Sequence, residues 1–239
     1  IKASSRKYPG IFFKQSREAG DMILDVHNLG FSLADGNTLK NITFTVNKGD
    51  KIAVISKNGL AVSALFRILA DKDKADKGEM KYGVTITKSY VPNDNSEYFQ
   101  DSELNLVDWL RQYSTEKDES FIRGFLGKML FSGSEALKQS NVLSGGEKVR
   151  CMLSKTMLSG ANVLLLDGPT AHLDLESITS VNEGVKKFKG TVIMTCHDHE
   201  FIQTTANRIM EITDGKISDD SYDTYEDYMA KKKKQASLH

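Results

Sequence analysis

The chain has 239 residues, of which 39% are hydrophobic and 27% charged, and its 32 basic residues balance 32 acidic ones. This composition is that of a globular protein with a core of its own, and the zero net charge gives no support for a nucleic-acid-binding protein. No apolar run approaches the roughly 18–20 residues that cross a bilayer, and no segment of this sequence has the pattern expected of a signal peptide. We therefore expect a soluble, cytoplasmic protein without direct membrane insertion.

The chain begins at Ile1 and not at Met, so we expect a piece of a longer protein. The two cysteines, Cys151 and Cys196, lie far apart without a CxxC pattern. We expect both to be reduced thiols in the core and not a disulfide or a zinc site.

The first predicted elements are short β-strands. Residues 1–20 are polar and basic, are broken by Pro9-Gly10, and are interpreted as a linker or lead-in. Two alternating runs follow, Met22–Leu29 and Ile42–Val46, separated by a turn at Asp35–Asn37. Together they predict a small antiparallel β element.

The pattern then changes to continuous apolar runs, which are typical of strands buried on both faces of a parallel sheet. A helical pattern follows each run. The strand and helix pairs are Ile52–Ile55 with Val62–Ala70, Val163–Leu166 with Leu175–Phe188, and Val192–Met194 with His199–Thr205. Repeated strand–loop–helix units predict a three-layer α/β core with a mainly parallel sheet.

A stretch of different character interrupts these units. Residues of about 95–140 carry helical apolar spacing without strand signals, which predicts an inserted helical subdomain, and Gly145–Ser159 has an amphipathic helix pattern. The basic run Lys231–Lys234 is interpreted as a solvated helix end. We predict a lead-in at residues 1–20, one domain at 21–218 and a C-terminal extension at 219–239.

A loop between the first buried strand and its helix occupies the place of a phosphate-binding loop, where the N–H groups of a helix N-terminus bind anions. The motif G-x-x-x-x-G-K-[ST] requires two glycines, a lysine and a hydroxyl residue. Only the hydroxyl residue is present, so this segment by itself is better explained as a plain strand-to-helix turn. The eight candidate nucleotide-binding residues are Ser56, Lys57, Asn58, Gly59, Leu60, Ala61, Val62 and Ser63.

Three more segments carry candidate site residues. Leu143-Ser144-Gly145-Gly146-Glu147 precedes the amphipathic helix, with Ser144 in the place of an N-cap. Asp167 ends a buried strand, a position that suits Mg²⁺ coordination. His197 follows the next strand. Each segment also has an ordinary structural explanation, as a capped helix, a strand end with a turn, or a structural histidine.

The order of these segments resembles the ATP-binding-cassette (ABC) family, whose signature motif is LSGGE, over Met22 to Gly215. Three segments look like its ABC-F branch, namely Phe125–Phe131, Leu173–Ile178 and His197–Phe201. The lead-in Ile1–Pro9 resembles the entry to the second cassette of YbiT-like members of that branch, which are soluble proteins with two cassettes that act on ribosomes.

The resemblance implies ATP and Mg²⁺ as cofactors, bound between two cassettes that face each other head to tail. It assigns Ser63 and Asp167 to Mg²⁺ and His197 to sensing the γ-phosphate. It assigns Ser144, Gly145 and Gly146, within the signature Leu143–Glu147, to the γ-phosphate of a nucleotide held by the other cassette. The partner is then the other cassette of the same protein or a second copy, and the ribosome.

Several positions depart from the family pattern. Val62 replaces the phosphate-binding lysine, and Gly168 replaces the catalytic glutamate. Asn93 stands near the position of the γ-phosphate-sensing glutamine, and Ala171 replaces an asparagine. Leu33 occupies the place of an adenine-stacking aromatic residue; Phe31 is close by. We therefore expect weak or absent ATP hydrolysis at the chain's own site.

Three functions remain open at this point. The favoured one is half of an ABC-F ATPase, with a degenerate ATP site and an intact signature that completes the partner's site. An ATPase subunit of a membrane transporter would share the fold and signature. A non-catalytic cassette that binds a partner without using nucleotide would fit Val62 and Gly168.

Overall fold

The computed structural model of the chain describes residues 8–100, 103–220 and 224–239. The first seven residues of the predicted lead-in, and residues 221–223 of the predicted C-terminal extension, lie outside the described residues. The chain forms two compact units. The helical unit contains the described residues up to Lys14, those of 93–160 and 169–188; the sheet unit contains 15–92, 161–168 and the described part of 189–239.

All the named strands belong to the sheet unit. They are β1 Met22–Ser32, β2 Thr38–Asn47, β3 Lys51–Ser56, β4 Lys77–Tyr82, β5 Lys88–Val91, β6 Val163–Asp167, β7 Thr191–Thr195, β8 Arg208–Thr213 and β9 Lys216–Asp220. A three-stranded antiparallel sheet has the order β2-β1-β4, with Val26 opposite Phe44. A six-stranded sheet has the order β5-β6-β7-β3-β8-β9, and only its edge strand β9 is antiparallel.

Helices occur in both units. They are α1 Gly59–Leu69, α2 Leu106–Arg111, α3 Glu119–Lys128, α4 Gly145–Ser159, α5 Leu175–Lys187, α6 His199–Thr205 and α7 Tyr225–Ser237. The helical unit holds α2 to α5, and the sheet unit holds α1, α6 and α7. Within the described residues, no helix is both long enough and apolar enough to span a membrane.

One apolar core joins both sheets of the sheet unit to α1. Alternate side chains of β2 are buried, including Leu39, Phe44 and Val46, whereas every residue of β6 is buried. The buried residues of β2 pack in a single cluster with Val163 and Leu165 of β6 and with the inner face of α1, including Leu65 and Phe66. This is the expected contrast between a half-buried antiparallel strand and a central parallel strand.

The helical unit is built around α4, which packs against α2 and α3. Trp109 is almost fully buried, stacks on Phe99 with ring centroids 4.9 Å apart, and donates from its ring N–H to the Tyr98 carbonyl oxygen at 2.6 Å. Within the described part of residues 93–144, no strand forms beyond an isolated bridge between Asn105 and Gln139.

The predicted antiparallel pair and the three predicted buried strands are confirmed, as is the mainly parallel sheet. The predicted start of the first helix at Val62 is wrong: α1 begins at Gly59, because the Asn58 side chain caps it there. The prediction for α5 is one residue too long, since Phe188 is its C-cap. Both cysteines are free thiols, with Cys151 buried and Cys196 partly exposed.

Candidate functional site

The predicted residues of the sheet unit meet where three parallel strands end. Ser56 is the last residue of β3, Asp167 the last of β6 and Thr195 the last of β7. Asp167 and Thr195 are direct neighbours in the sheet register. The carboxyl ends of the strands in such a sheet form the usual place for a ligand.

The loop between β3 and α1 is closed by its own side chains. The Ser56 hydroxyl donates to the Ile212 carbonyl oxygen at 2.9 Å and accepts from the Asn58 backbone N–H at 3.0 Å. The Asn58 side-chain oxygen accepts from the backbone N–H groups of Leu60 and Ala61 at 3.1 and 3.4 Å. Three amides that could face a phosphate are therefore bonded within the loop.

Position 62 also departs from a phosphate site. Val62 is 4% exposed and packs in the core of the sheet unit, next to the buried Ala61. In this arrangement the loop does not fit a triphosphate, because its amides are occupied and it supplies no ammonium group at position 62. A phosphate would have to displace the Ser56 and Asn58 side chains.

The two residues assigned to Mg²⁺ do lie together. The Ser63 hydroxyl, on α1, donates to Asp167 Oδ2 at 2.8 Å, and Asp167 is 4% exposed. A hydroxyl and a carboxylate are oxygen ligands of the kind that Mg²⁺ prefers, so this pair fits the ion. The two side chains that the resemblance assigns to Mg²⁺ are thus neighbours, and their role as ligands stays a prediction.

The remaining predicted positions of this site supply no further carboxylate beside the pair assigned to Mg²⁺. Gly168 donates from its N–H to the Thr195 carbonyl oxygen at 2.9 Å and has a φ of +71°, a left-handed conformation that favours glycine. His197 is exposed in the turn after β7, and Lys57 and Gly59 are exposed in the loop before α1. The structure therefore places no carboxylate where the family has its catalytic glutamate.

The other departures have different surroundings. Phe31 and Leu33 are both buried in the core of the sheet unit, so the Phe31 ring is not exposed for stacking on a base. In the helical unit, Asn93 is exposed and Ala171 partly exposed.

The signature motif lies at the start of α4, in the helical unit. Leu143 is buried, whereas Ser144 and Gly145 are exposed. Ser144 and Glu147 form a reciprocal capping box: the Ser144 hydroxyl accepts from Glu147 N–H at 3.2 Å, and Glu147 Oε1 accepts from Ser144 N–H at 3.1 Å. This cap fixes the helix start directly after Ser144.

A cation supports the capping carboxylate. Lys138 Nζ donates to Glu147 Oε2 at 2.8 Å. This hydrogen bond, with those from Ser144, holds the pKa of Glu147 below its usual range. The same bond raises the pKa of Lys138. Lys138 and Glu147 therefore both remain charged around neutral pH.

The helical unit also contains a groove that sequence reasoning missed. Its volume is about 700 Å³, and the exposed side chains of Tyr8, Phe12 and Leu175 line it together with Glu176 and Lys128. None of the predicted site residues lines it. Single exposed apolar residues in a sequence give no signal of such a groove.

The family profile described as "ABC transporter" matches residues 39–171 of this chain. The chain belongs to the ABC transporter family. It is 54% identical to the ABC transporter ATP-binding protein YkpA of Bacillus subtilis, over all of this chain and 45% of that protein. It is 37% identical to the probable ATP-binding protein YbiT of Escherichia coli O157:H7, over 97% of this chain and 44% of that protein.

Further relatives place the chain in the ABC-F branch. It is 30% identical to ABC transporter F family member 5 of Arabidopsis thaliana, over 96% of this chain and 33% of that protein. It is also 30% identical to the energy-dependent translational throttle protein EttA of Escherichia coli K12, over 91% of this chain and 40% of that protein. The chain therefore spans less than half the length of these relatives.

Solved structures show the same fold. The dimeric post-hydrolysis structure of the ATP-binding cassette MJ0796, bound to ADP and phosphate, has a TM-score of 0.71. It is 18% identical to this chain over 84% of this chain and 99% of its own length. The chain thus has the α/β fold of an ABC cassette, with a mostly parallel sheet and a small antiparallel sheet.

Proposed function

We propose that the chain is the second cassette of a soluble, cytoplasmic ABC-F ATPase that acts in translation. In this proposal its own ATP site is degenerate, and its signature motif completes the ATP site of the other cassette, in the same protein or in a second copy. ATP and Mg²⁺ would be held mainly by that partner.

The observation that carries this proposal is the closed loop between β3 and α1. The amides of Asn58, Leu60 and Ala61 are bonded to side chains of the loop itself, and the lysine position is an apolar core residue. A general base contributes about 10²–10⁴-fold to rate, and glycine at position 168 cannot supply one. Together these features support weak or absent hydrolysis at this site.

The signature side supports the second half of the proposal. Its serine and first glycine are exposed, its helix start is fixed by a complete capping box, and its sequence LSGGE has no departures. The name of the relative EttA, a translational throttle protein, supports a role in translation. A ribosomal partner would follow from that role.

A second candidate is a cassette that binds a partner without using nucleotide at either place. The closed loop favours this candidate as much as the first one. The two candidates differ in one respect: only the first requires the signature motif for ATP turnover by a protein that contains both cassettes.

The deciding experiment is ATP turnover by that two-cassette protein carrying Ser144→Arg. A bulky cation at the exposed start of α4 should abolish turnover if the signature completes the partner's site. Val84→Arg is the matched control, because Val84 is 97% exposed and belongs to none of the candidate sites. Unchanged turnover in Ser144→Arg would favour the non-catalytic candidate.

Mg²⁺·ATP binding to this chain alone tests the degenerate site. Calorimetry with a non-hydrolysable analogue should show no binding up to the millimolar range. Micromolar binding would show that the loop opens for phosphate without a lysine, and the lesion would then lie in hydrolysis at Gly168.

A further inference from the structure

The two glycines of the signature motif face a single residue. An added Cβ at Gly145 would lie 3.2 Å from His172 Cγ and 3.4 Å from Cδ2. An added Cβ at Gly146 would lie 2.6 Å from the His172 carbonyl oxygen. The ring of His172 therefore faces the first glycine, and its backbone faces the second.

The backbone of His172 is fixed in an unusual conformation. Its φ is +61°, in the left-handed region that only a few per cent of non-glycine residues adopt. A turn hydrogen bond spans His172: the Leu173 N–H donates to the Thr170 carbonyl oxygen at 3.2 Å. On its C-terminal side the Asp174 carboxylate caps α5 by accepting from Ser177 N–H at 2.7 Å. The turn is thus closed by its own backbone and anchored to the start of α5.

We propose that His172 is a positioning residue that locks the signature end of α4 to the turn Thr170–Asp174, so that the two segments move as one body. The link to ATP turnover rests on the proposed function, in which the start of α4 faces a nucleotide held by the partner. The lock itself is a property of this chain alone. It acts through two contacts of different kinds, one with a side chain and one with a carbonyl group.

This difference makes the lock testable by a double-mutant cycle. Gly145→Ala would crowd the imidazole ring, and His172→Ala removes that ring, which leaves only an ordinary contact of 3.5 Å to the His172 Cβ. Gly146→Ala would crowd the carbonyl oxygen, which His172→Ala does not remove. Rescue is therefore expected in the first pair and not in the second.

The measurement is amide hydrogen exchange at Leu173 and Glu147 in this chain. Overpacking at Gly145 should speed exchange at Leu173, which lies on the other segment, by about tenfold or more, and His172→Ala should return it to the rate of His172→Ala alone. Gly127→Ala is the matched control within the helical unit, since an added Cβ there meets no heavy atom within 4 Å. It should leave both amides unchanged.

Two results would overturn the lock: unchanged exchange at Leu173 in Gly145→Ala, or a Gly145→Ala effect that persists in the His172→Ala background. If Gly146→Ala fails to fold, the Gly145 cycle decides the matter without it. Turnover by the two-cassette protein is measured separately, and Gly145→Ala should lower kcat about tenfold or more, with recovery in the double variant. A cycle that holds in exchange but leaves kcat unchanged refutes the proposed function and leaves the lock intact.

Discussion

Restoring the lysine of the phosphate-binding motif should destabilise the chain without giving it a nucleotide site. Val62 is 4% exposed and packs in the core of the sheet unit, so Val62→Lys removes a buried apolar side chain. That loss alone costs about 2 kcal/mol, and more where the ammonium group cannot reach water. For a chain of this size each kcal/mol lowers Tm by about 2–4 °C, so we expect a fall of about 4–8 °C.

The same substitution should not create binding of Mg²⁺·ATP. The side chains of Ser56 and Asn58 still occupy the loop amides in Val62→Lys. A triple variant, Ser56→Gly with Ala61→Gly and Val62→Lys, removes the serine that holds the Asn58 N–H and restores the full motif. Charge-assisted hydrogen bonds contribute roughly 1.5–3 kcal/mol each, so we expect this variant to bind about 10–100-fold more tightly than the unmodified chain.

Thermal unfolding and calorimetry together test this reasoning. Leu60→Lys is the control, because Leu60 lies on the same helix but is 52% exposed, and its Tm should change little. The reasoning is refuted if Val62→Lys melts at the temperature of the unmodified chain and binds Mg²⁺·ATP in the micromolar range. Such a result would mean that the side chain at position 62 turns toward the ligand and that the loop amides are free to exchange partners.

Three further predictions concern stability. Asp50→Ala leaves Arg208 charged and buried, since both side chains of this pair are 4% exposed, and should lower the free energy of unfolding in urea by about 3–5 kcal/mol. Lys48→Ala, in the exposed pair with Glu18, should lower it by at most about 1 kcal/mol. Ser144→Ala removes the cap of α4 and should lower the free energy of unfolding by about 1 kcal/mol in the same measurement. An unchanged free energy of unfolding would mean that the capping box does not stabilise the chain. The bond from Lys138 lowers the folded-state pKa of Glu147, so this bond should stabilise the chain fully above the ordinary carboxyl pKa. The stabilisation should be lost as the pH falls through the lowered pKa of Glu147. This loss of stability in acid should be smaller in Glu147→Gln.

The strands that were predicted from the sequence are ones whose burial leaves a clear pattern. The continuous apolar runs in β3, β6 and β7 predict central strands, because both faces of such a strand are buried in the protein. One strand that was not predicted, β4 (Lys77–Tyr82), has no fully buried residue, and only its partly buried Met80 and Tyr82 pack against the core. Two apolar side chains give too short a pattern to predict a strand, and its register becomes clear only from its pairing with β1.

The candidate site divides in the same way. The approach of Ser63 to Asp167 follows from topology, because parallel strands of one sheet end at the same edge. The helix start at Gly59 could not be predicted, because it depends on whether the Asn58 side chain or a ligand takes the loop amides. The Asn58 side-chain oxygen and a phosphate oxygen compete for the same amides, and a motif comparison does not weigh one against the other.

The two sides of this cassette respond to substitution for opposite physical reasons. In the loop, Ala61 and Val62 have become part of an apolar core, so restoring the motif must first overcome the packing that replaced it. In the signature motif, His172 leaves little room for a side chain at Gly145 or Gly146, so a single added methyl group is enough to disturb it. Loop variants should therefore lose stability before they gain nucleotide binding. Signature variants should lose activity at the partner's site while the fold persists. A displacement of the start of α4 by about 1 Å strongly lowers a catalytic rate but changes the stability of an exposed helix end only slightly.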